Sequence, residues 1–168
     1  MRRLLVGLIL ALVGSVMIIG PADAKEPKDP KKAKREITAA YECLLSGSLN
    51  YTIDQKLACV DRVDDDPALL ALATEIQQAQ AAAAAIAETD IKKIKFKNDK
   101  VATVDYELVV GDMELEGIAP RGFAVLVKDG SKKVWKVSAL TFCQLTQLAR
   151  ADVAAAGPCA PILAADKP

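Results

Sequence analysis

The sequence predicts one α+β domain, in which N-terminal helices pack on a curved four-stranded antiparallel sheet and a C-terminal helix follows the sheet. Three observations support this prediction. Apolar residues recur at helical spacing up to about residue 88, and from there to residue 138 they alternate with polar ones. Helical spacing returns from Ala139. Turn residues separate the alternating runs, as in an antiparallel sheet with one face covered by helices.

The first residues are typical of a secretory signal peptide. Two arginines precede an uncharged apolar run over residues 4–20, and Ala22 and Ala24 form a small-x-small cleavage signature. We therefore predict a signal peptide over residues 1–24 and an extracytoplasmic protein, either secreted or associated with the cell envelope. The alternative is a membrane anchor, because the run is near the lower limit of about 17 residues for a membrane span. A membrane contact is predicted only if that run is retained.

Charge and composition exclude several classes of function. The 168 residues include 22 basic and 22 acidic side chains, whereas nucleic-acid-binding domains usually carry a basic face, so we predict no nucleic-acid partner. The sequence contains no histidine, which excludes Ser–His and Cys–His catalysis, and no CxxC motif, so thioredoxin-type thiol exchange and the usual zinc sites both lack their ligands. We predict no metal and no cofactor.

Four cysteines form an even set in a chain predicted to be exported, which favours disulfides over redox or metal chemistry. Three pairings are possible. Because the first two cysteines lie far from the last two along the chain, we predict the bonds Cys43–Cys59 and Cys143–Cys159. Closing each loop would stabilise the fold by roughly 3 kcal/mol.

The helices before the sheet follow a basic, proline-containing linker that we predict over residues 25–35. A first helix is predicted over residues 34–46 and a second, capped by Asp54, over residues 55–62. A third is predicted from Pro67, with Asp66 as its N-cap, to about residue 88. It includes an alanine run, which is favourable to helix formation.

The strands are predicted from alternation and turn residues. Their predicted ranges are residues 91–97, 101–110, 123–128 and 132–138, with a helix from 139 to about 150. In the second strand, one face is predicted to carry Ala102, Val104, Tyr106, Leu108 and Val110. The domain is predicted to span residues 36–160, and residues 161–168 are expected to form a flexible tail.

Two long segments carry a resemblance to a known family. KIKFKNDKVATVDYELVV, then GFAVLVKDGSKKVWKVSALTFCQL and a late Cys159, resemble small exported actinobacterial proteins similar to the mycobacterial low-molecular-weight secreted antigen family. The resemblance covers roughly residues 36–160 and is strongest over residues 130–145. It implies the NTF2-like (cystatin-like) fold, whose curled sheet and helices form a cone that can hold a small molecule. No catalytic residue is carried over from this family.

The resemblance also implies which side chains line the cone. The candidates are Tyr41, Phe96, Tyr106, Leu108, Phe123 and Trp135. The alternative is that they fill the core, which the ordinary burial of aromatic side chains favours. The predicted function is a non-enzymatic binding or interaction module, with a small hydrophobic ligand as its first candidate partner. A structural partner in a cell-envelope protein complex is the second candidate, and an isomerase- or cyclase-like enzyme the third.

Charged clusters are predicted to have structural roles. The acidic cluster comprises Asp61, Asp64, Asp65 and Asp66. It lacks the spacing and the glycine of a calcium-binding loop, so we predict helix capping and solvation. Asp105 and Glu107 are the strand acids that a fold-analogous enzyme would use, but they face away from the predicted core. A basic row comprises Lys93, Lys95, Lys97 and Lys100. Acidic polymers or lipid head groups are alternatives for it, and we favour protection of an edge strand.

Overall fold

The computed structural model describes residues 25–47, 51–111, 113–114 and 121–168, with residues 113–114 described by their backbone alone. The predicted signal segment, residues 1–24, lies outside these ranges. Within them, no helix is both long enough and apolar enough to cross a membrane.

The helices before the sheet are α1 (Pro30–Leu45), α2 (Ile53–Leu57), α3 (Pro67–Ala79) and α4 (Ala81–Ala85). The helix α1 begins earlier than predicted, because Asp29 caps it and Pro30 occupies its first position. The Asp29 carboxylate accepts a hydrogen bond from the Lys32 amide at 2.9 Å. The second half of the predicted linker is therefore helical.

The structure corrects two further helix predictions. The helix α2 is capped by Thr52 rather than by Asp54, because Thr52 and Gln55 form a reciprocal capping box. The predicted continuous helix to residue 88 breaks at Gln80 and ends at Ala85, because the chain then joins the sheet. The predicted start of α3 is confirmed: the Asp66 carboxylate accepts hydrogen bonds from two amides of the first turn, at 3.0 and 3.1 Å.

One antiparallel sheet follows, and it confirms the predicted α+β class. Its strands are β1 (Ala87–Phe96), β2 (Val101–Val110), β3 (Met113–Glu114), β4 (Gly122–Asp129) and β5 (Lys132–Val137). The long strands are ordered β1-β2-β4-β5, and β3 pairs with the end of β2. The helix α1 contacts both β1 and β5, which lie at opposite edges, because the sheet is curled around it.

The two faces of β2 agree with the predicted alternation. Ala102, Val104 and Tyr106 are buried on the face covered by helices, whereas Asp105 and Glu107 lie on the outer face and are partly exposed. The register of β1 against β2 shifts between Ile91 and Lys93, so alternation in β1 is interrupted by a bulge. The core therefore lies between the inner face of the sheet and the helices.

Helices also end the chain: α5 (Ala139–Ala149), α6 (Ala151–Ala156) and α7 (Cys159–Ala165). Ser138 caps α5 by accepting a hydrogen bond from the Thr141 amide at 3.1 Å. The expected flexible tail over residues 161–168 is instead helical as far as Ala165. Ile162 and Leu163 pack against the core, because Cys159 fixes the start of α7.

Both predicted disulfides are present. Cys43–Cys59 joins the end of α1 to the residues after α2, and Cys143–Cys159 joins α5 to the start of α7. All four cysteines are paired. Two disulfides favour an oxidising, extracytoplasmic environment.

Candidate functional site

Four of the six predicted lining residues form two aromatic pairs. The ring centres of Tyr41 and Tyr106 are 5.1 Å apart, and those of Phe96 and Trp135 are 5.9 Å apart. Tyr41, Tyr106 and Trp135 are buried, and Phe96 packs against the core from a half-buried position. These rings fill the interior, as the alternative prediction held.

Phe123 does not lie on the inner face. It pairs with Thr103 in the register of β4 against β2, and Thr103 belongs to the same face as Asp105. On that outer face, the Lys97 ammonium lies 4.6 Å from the centre of the Phe123 ring, a cation–π contact. The prediction that Phe123 lines the cone is therefore wrong, because its strand position directs it outward.

A buried polar network connects the end of β5 to α5. The Thr141 hydroxyl accepts a hydrogen bond from the Phe123 amide at 2.7 Å and lies 3.0 Å from the Ser138 hydroxyl. The Tyr41 hydroxyl donates to the Phe123 carbonyl at 3.2 Å. Burial, and next the neighbouring Tyr106, raise the pKa of Tyr41, so its phenol stays protonated. Each of these groups has a partner, and the network joins sheet to helix.

A cleft of about 590 Å³ lies elsewhere, at the end of the domain where α1 and β2 finish. The end of α1, the α3–α4 segment, the end of β2 and one side of α5 form its walls. Its lining residues are Leu44, Leu45, Ile76, Gln77, Ala79, Gln80, Ala82, Ala83, Leu108, Val110, Phe142, Leu145, Thr146, Leu148 and Ala149. The volume falls within the range of roughly 300–1,000 Å³ typical of small-molecule sites.

The cleft is almost entirely apolar. Its described lining contains no ionisable side chain, and its polar side chains are Gln77, Gln80 and Thr146. The Thr146 hydroxyl already donates to the Phe142 carbonyl at 3.0 Å. Two glutamine amides therefore remain to contact a polar group of a ligand, and the rest of the lining is suited to hydrocarbon.

Of the six predicted residues, the structure places only Leu108 in this cleft. The leucines of α1 and α5 and the alanines of α4 were missed. A sequence signal existed in the alanine run, since residues with one-carbon side chains leave space between helices.

A second pocket, of about 280 Å³, lies on the opposite side of α4 and is smaller than a typical ligand site. Lys56 lies in its wall, and burial lowers the pKa of its ammonium group. The Lys56 stem packs against apolar surface, an arrangement common for long basic side chains.

The predicted candidate acids lie outside both cavities. On the outer sheet face, Asp105 pairs with Arg121 at 3.1 Å, and Glu107 pairs with Lys92 at 2.8 Å. In the acidic cluster, Asp66 caps α3 and Asp61 pairs with its neighbour at 3.3 Å. Across the part of the chain that the structure describes, no group of three or more acidic or thiol ligands is placed to hold a metal ion.

No protein-family model, curated protein or solved structure matches this chain. The resemblance to the secreted antigen family stays a prediction, and the function has to be argued from the residues themselves.

Proposed function

We propose that the protein is an exported, non-enzymatic binding module whose cleft takes a small hydrophobic molecule. One observation carries this proposal: a cleft of about 590 Å³ whose described walls are apolar except for the Gln77 and Gln80 amides and the Thr146 hydroxyl, which already donates to a carbonyl. An apolar ligand would remove this surface from water at about 25 cal/mol per Å². Leu148 is 54% exposed, so part of that surface is wet in the unliganded protein.

The lining also defines the class of ligand. Without a charged group in the described walls, a buried ionised head would lack a compensating partner. We therefore propose an uncharged molecule with a hydrocarbon body and one small polar group, such as a hydroxyl or an amide, near Gln77 or Gln80. The same lack of acid or base groups is the reason to prefer binding over the isomerase or cyclase alternative.

A chain-length series of primary alcohols tests the proposal. Each additional buried methylene contributes about 0.8 kcal/mol, so Kd should fall roughly fourfold per carbon until the cleft is full. The measurement is displacement of a fluorescent alkyl probe, because Trp135, the only tryptophan, does not line the cleft. A Kd that does not depend on chain length would contradict hydrocarbon burial.

A matched pair of variants locates the binding. Leu148→Glu places a charge on the cleft wall at an exposed position, whereas Gln147→Glu places the same charge on the next residue, outside the lining. We expect Leu148→Glu to weaken alcohol binding at least tenfold and Gln147→Glu to leave it unchanged. Equal losses in the two variants would mean that binding lies elsewhere. Native mass spectrometry of protein from its host tests the cell-envelope alternative, which predicts a bound protein and no small molecule.

A further inference from the structure

The fold brings together three basic segments that are far apart in the sequence. The first is residues 25–34, which lead into and begin α1, and the other two are the β1–β2 and β4–β5 turns with the strand residues beside them. We propose that the end of the domain formed by these segments binds the surface of a membrane rich in anionic phospholipid. This inference is independent of the proposed ligand.

The direction of α1 decides where its basic residues lie. The Gly47 amide, just after α1, donates to the Ala87 carbonyl at the start of β1, at 2.7 Å. Toward the other end, Lys34 and Ile94 line one groove between α1 and β1. The stretch from Lys34 to Gly47, almost all of it in α1, and the strand from Ala87 to Ile94 have similar lengths, since a helix rises about 1.5 Å and a strand about 3.3 Å per residue. The helix α1 therefore runs antiparallel to β1, and its N-terminus lies near the β1–β2 turn.

The two strand turns lie at this same end. Val101 pairs with Val125, and the Leu126 amide donates to the Lys100 carbonyl at 2.8 Å. From there, β4 and β5 continue together to the pair Asp129–Lys132. We call the basic residues collected here the lysine pole. They are Lys28, Lys31, Lys34, Lys95, Lys97, Lys100, Lys128, Lys132 and Lys133.

The lysine pole is not neutralised. None of these nine lysines forms an ion pair with any residue that the structure describes, although Glu26, Asp29, Asp99 and Asp129 lie at the same end. Lys32, in the same segment, is not counted among them because it pairs with Glu36 at 3.6 Å. Some basic residues elsewhere pair with acids, whereas Lys56 and Lys93, and Arg35 at this end, form no ion pair with the residues that the structure describes. The paired ones are Arg62, Lys92, Arg121, Lys136 and Arg150. A chain with 22 basic and 22 acidic residues therefore concentrates unpaired positive charge at one end.

This concentration opposes stability. Lys128 and Lys133 are direct cross-strand partners, and like charges in that position destabilise a sheet. Edge protection explains Lys95 on β1 and also Lys132 and Lys133 on β5, since both are edge strands. It does not explain the lysines on α1 or Lys128 on the inner strand β4. An anionic surface that contacts all of them at once would relieve this repulsion.

The chemistry of the pole favours a lipid surface over other polyanions. The basic residues at this end are lysines except for Arg35, which follows Lys34 in α1. Lysines act as point charges, whereas arginine is the residue of choice for bidentate phosphate recognition. Phe96 and Trp135 pack against each other, and the Phe123 ring is already in contact with the Lys97 ammonium, so these aromatic residues are not free to stack on bases. In the sequence, the apolar run over residues 4–20 comes shortly before Lys25, so a chain that retains this run would carry the lysine pole next to a membrane anchor.

Vesicle binding of the exported protein tests the proposal, with its N-terminus identified by intact mass. The protein should sediment with vesicles containing 30% phosphatidylglycerol more than with phosphatidylcholine vesicles, and raising the salt concentration should release it. A lysine near an anionic surface strengthens binding about fivefold. The triple variant Lys95→Gln, Lys100→Gln and Lys133→Gln should therefore lower the partition coefficient roughly 100-fold.

The matched control removes three positive charges elsewhere. It is the triple variant Arg62→Gln, Arg121→Gln and Arg150→Gln, whose arginines are paired with acids. Equal losses in the two triple variants would refute the lysine pole, as would equal binding to neutral vesicles. Tighter binding to soluble polyphosphate than to the vesicles, at equal phosphate concentration, would identify an acidic polymer and overturn the proposal. Alcohol binding should be unchanged in the pole variant, because the cleft lies at the other end of α1 and β2, so the two proposals fail separately.

Discussion

Removing one disulfide at a time should separate the effect of loop closure from the effect of burial. Both bonds join cysteines at a sequence separation of 16, so loop closure contributes equally to each, about 3 kcal/mol. Their burial differs. Cys143 and Cys159 are 0% exposed and belong to the core, whereas Cys59 is half-buried. The perturbation is the double alanine variant of each pair.

The magnitude follows from these two terms. Replacing two fully buried sulfurs by hydrogen costs about 1 kcal/mol each in lost packing, by analogy with removal of a buried methylene. We therefore expect a loss of about 5 kcal/mol for Cys143→Ala/Cys159→Ala and between about 3 and 4 kcal/mol for Cys43→Ala/Cys59→Ala. The first loss is comparable with the whole stability of many domains, about 5–15 kcal/mol.

The assay is urea unfolding followed by circular dichroism, with the two variants and the parent protein measured together. Midpoints are compared only if the urea dependence of the unfolding free energy is unchanged, since a change in that slope reports a different unfolded state. Amide hydrogen exchange then locates the loosening, which should appear in α6 and α7 for the buried pair and in α2 for the other. Equal losses, or a larger loss at Cys43–Cys59, would refute the burial argument.

Three further substitutions test local features. Gly122→Ala places a methyl group against the Tyr41 hydroxyl, so urea unfolding should show a loss of about 1–3 kcal/mol, and a smaller loss in a Tyr41→Phe background. Burial raises the pKa of the Asp61 carboxyl, so the folded protein loses stability as pH rises through and above the usual value of 3.8. Asp61→Asn should therefore raise the free energy of unfolding more at pH 7 than at pH 3, with a difference of less than about 1 kcal/mol. A larger gain at pH 3 would mean that the pKa of Asp61 is not raised in the folded protein. Ala83→Leu should weaken alcohol binding in the probe assay by narrowing the cleft, with Ala71→Leu, outside the lining, as control.

The parts of the fold that could be predicted from the sequence are those with local signals. Asp66 and Pro67 mark the start of α3, and alternation between two turns marks β2, because caps and periodicity act over a few residues. The boundary between α4 and β1 could not be found in this way. Residues 87–90 become a strand by pairing with the end of β2, a contact between distant parts of the chain that overrides local helix propensity.

The candidate site was harder to predict, because it depends on which face each strand presents. The segment GFAVLV in β4 is apolar on both faces, so alternation does not indicate on which face of the sheet Phe123 lies. In β2, where acids alternate with apolar residues, the face of Leu108 was predicted correctly. Large aromatic residues were natural candidates for a cavity wall, but their size is what lets them fill the interior.

The cleft therefore exists where the residues are small. The helix α4 consists of five alanines, with Ala82 and Ala83 in the wall of the cleft and Ala81, Ala84 and Ala85 in the wall of the second pocket. A helix whose side chains have one carbon cannot fill the space on either side, whereas leucine at the same positions would extend into it. Gly47 fixes this arrangement, because a Cβ there would meet the backbone of Ala84 and Ala85. Helix propensity explains why the alanine run forms a helix. The small size of the same side chains explains the open space that the proposed ligand requires.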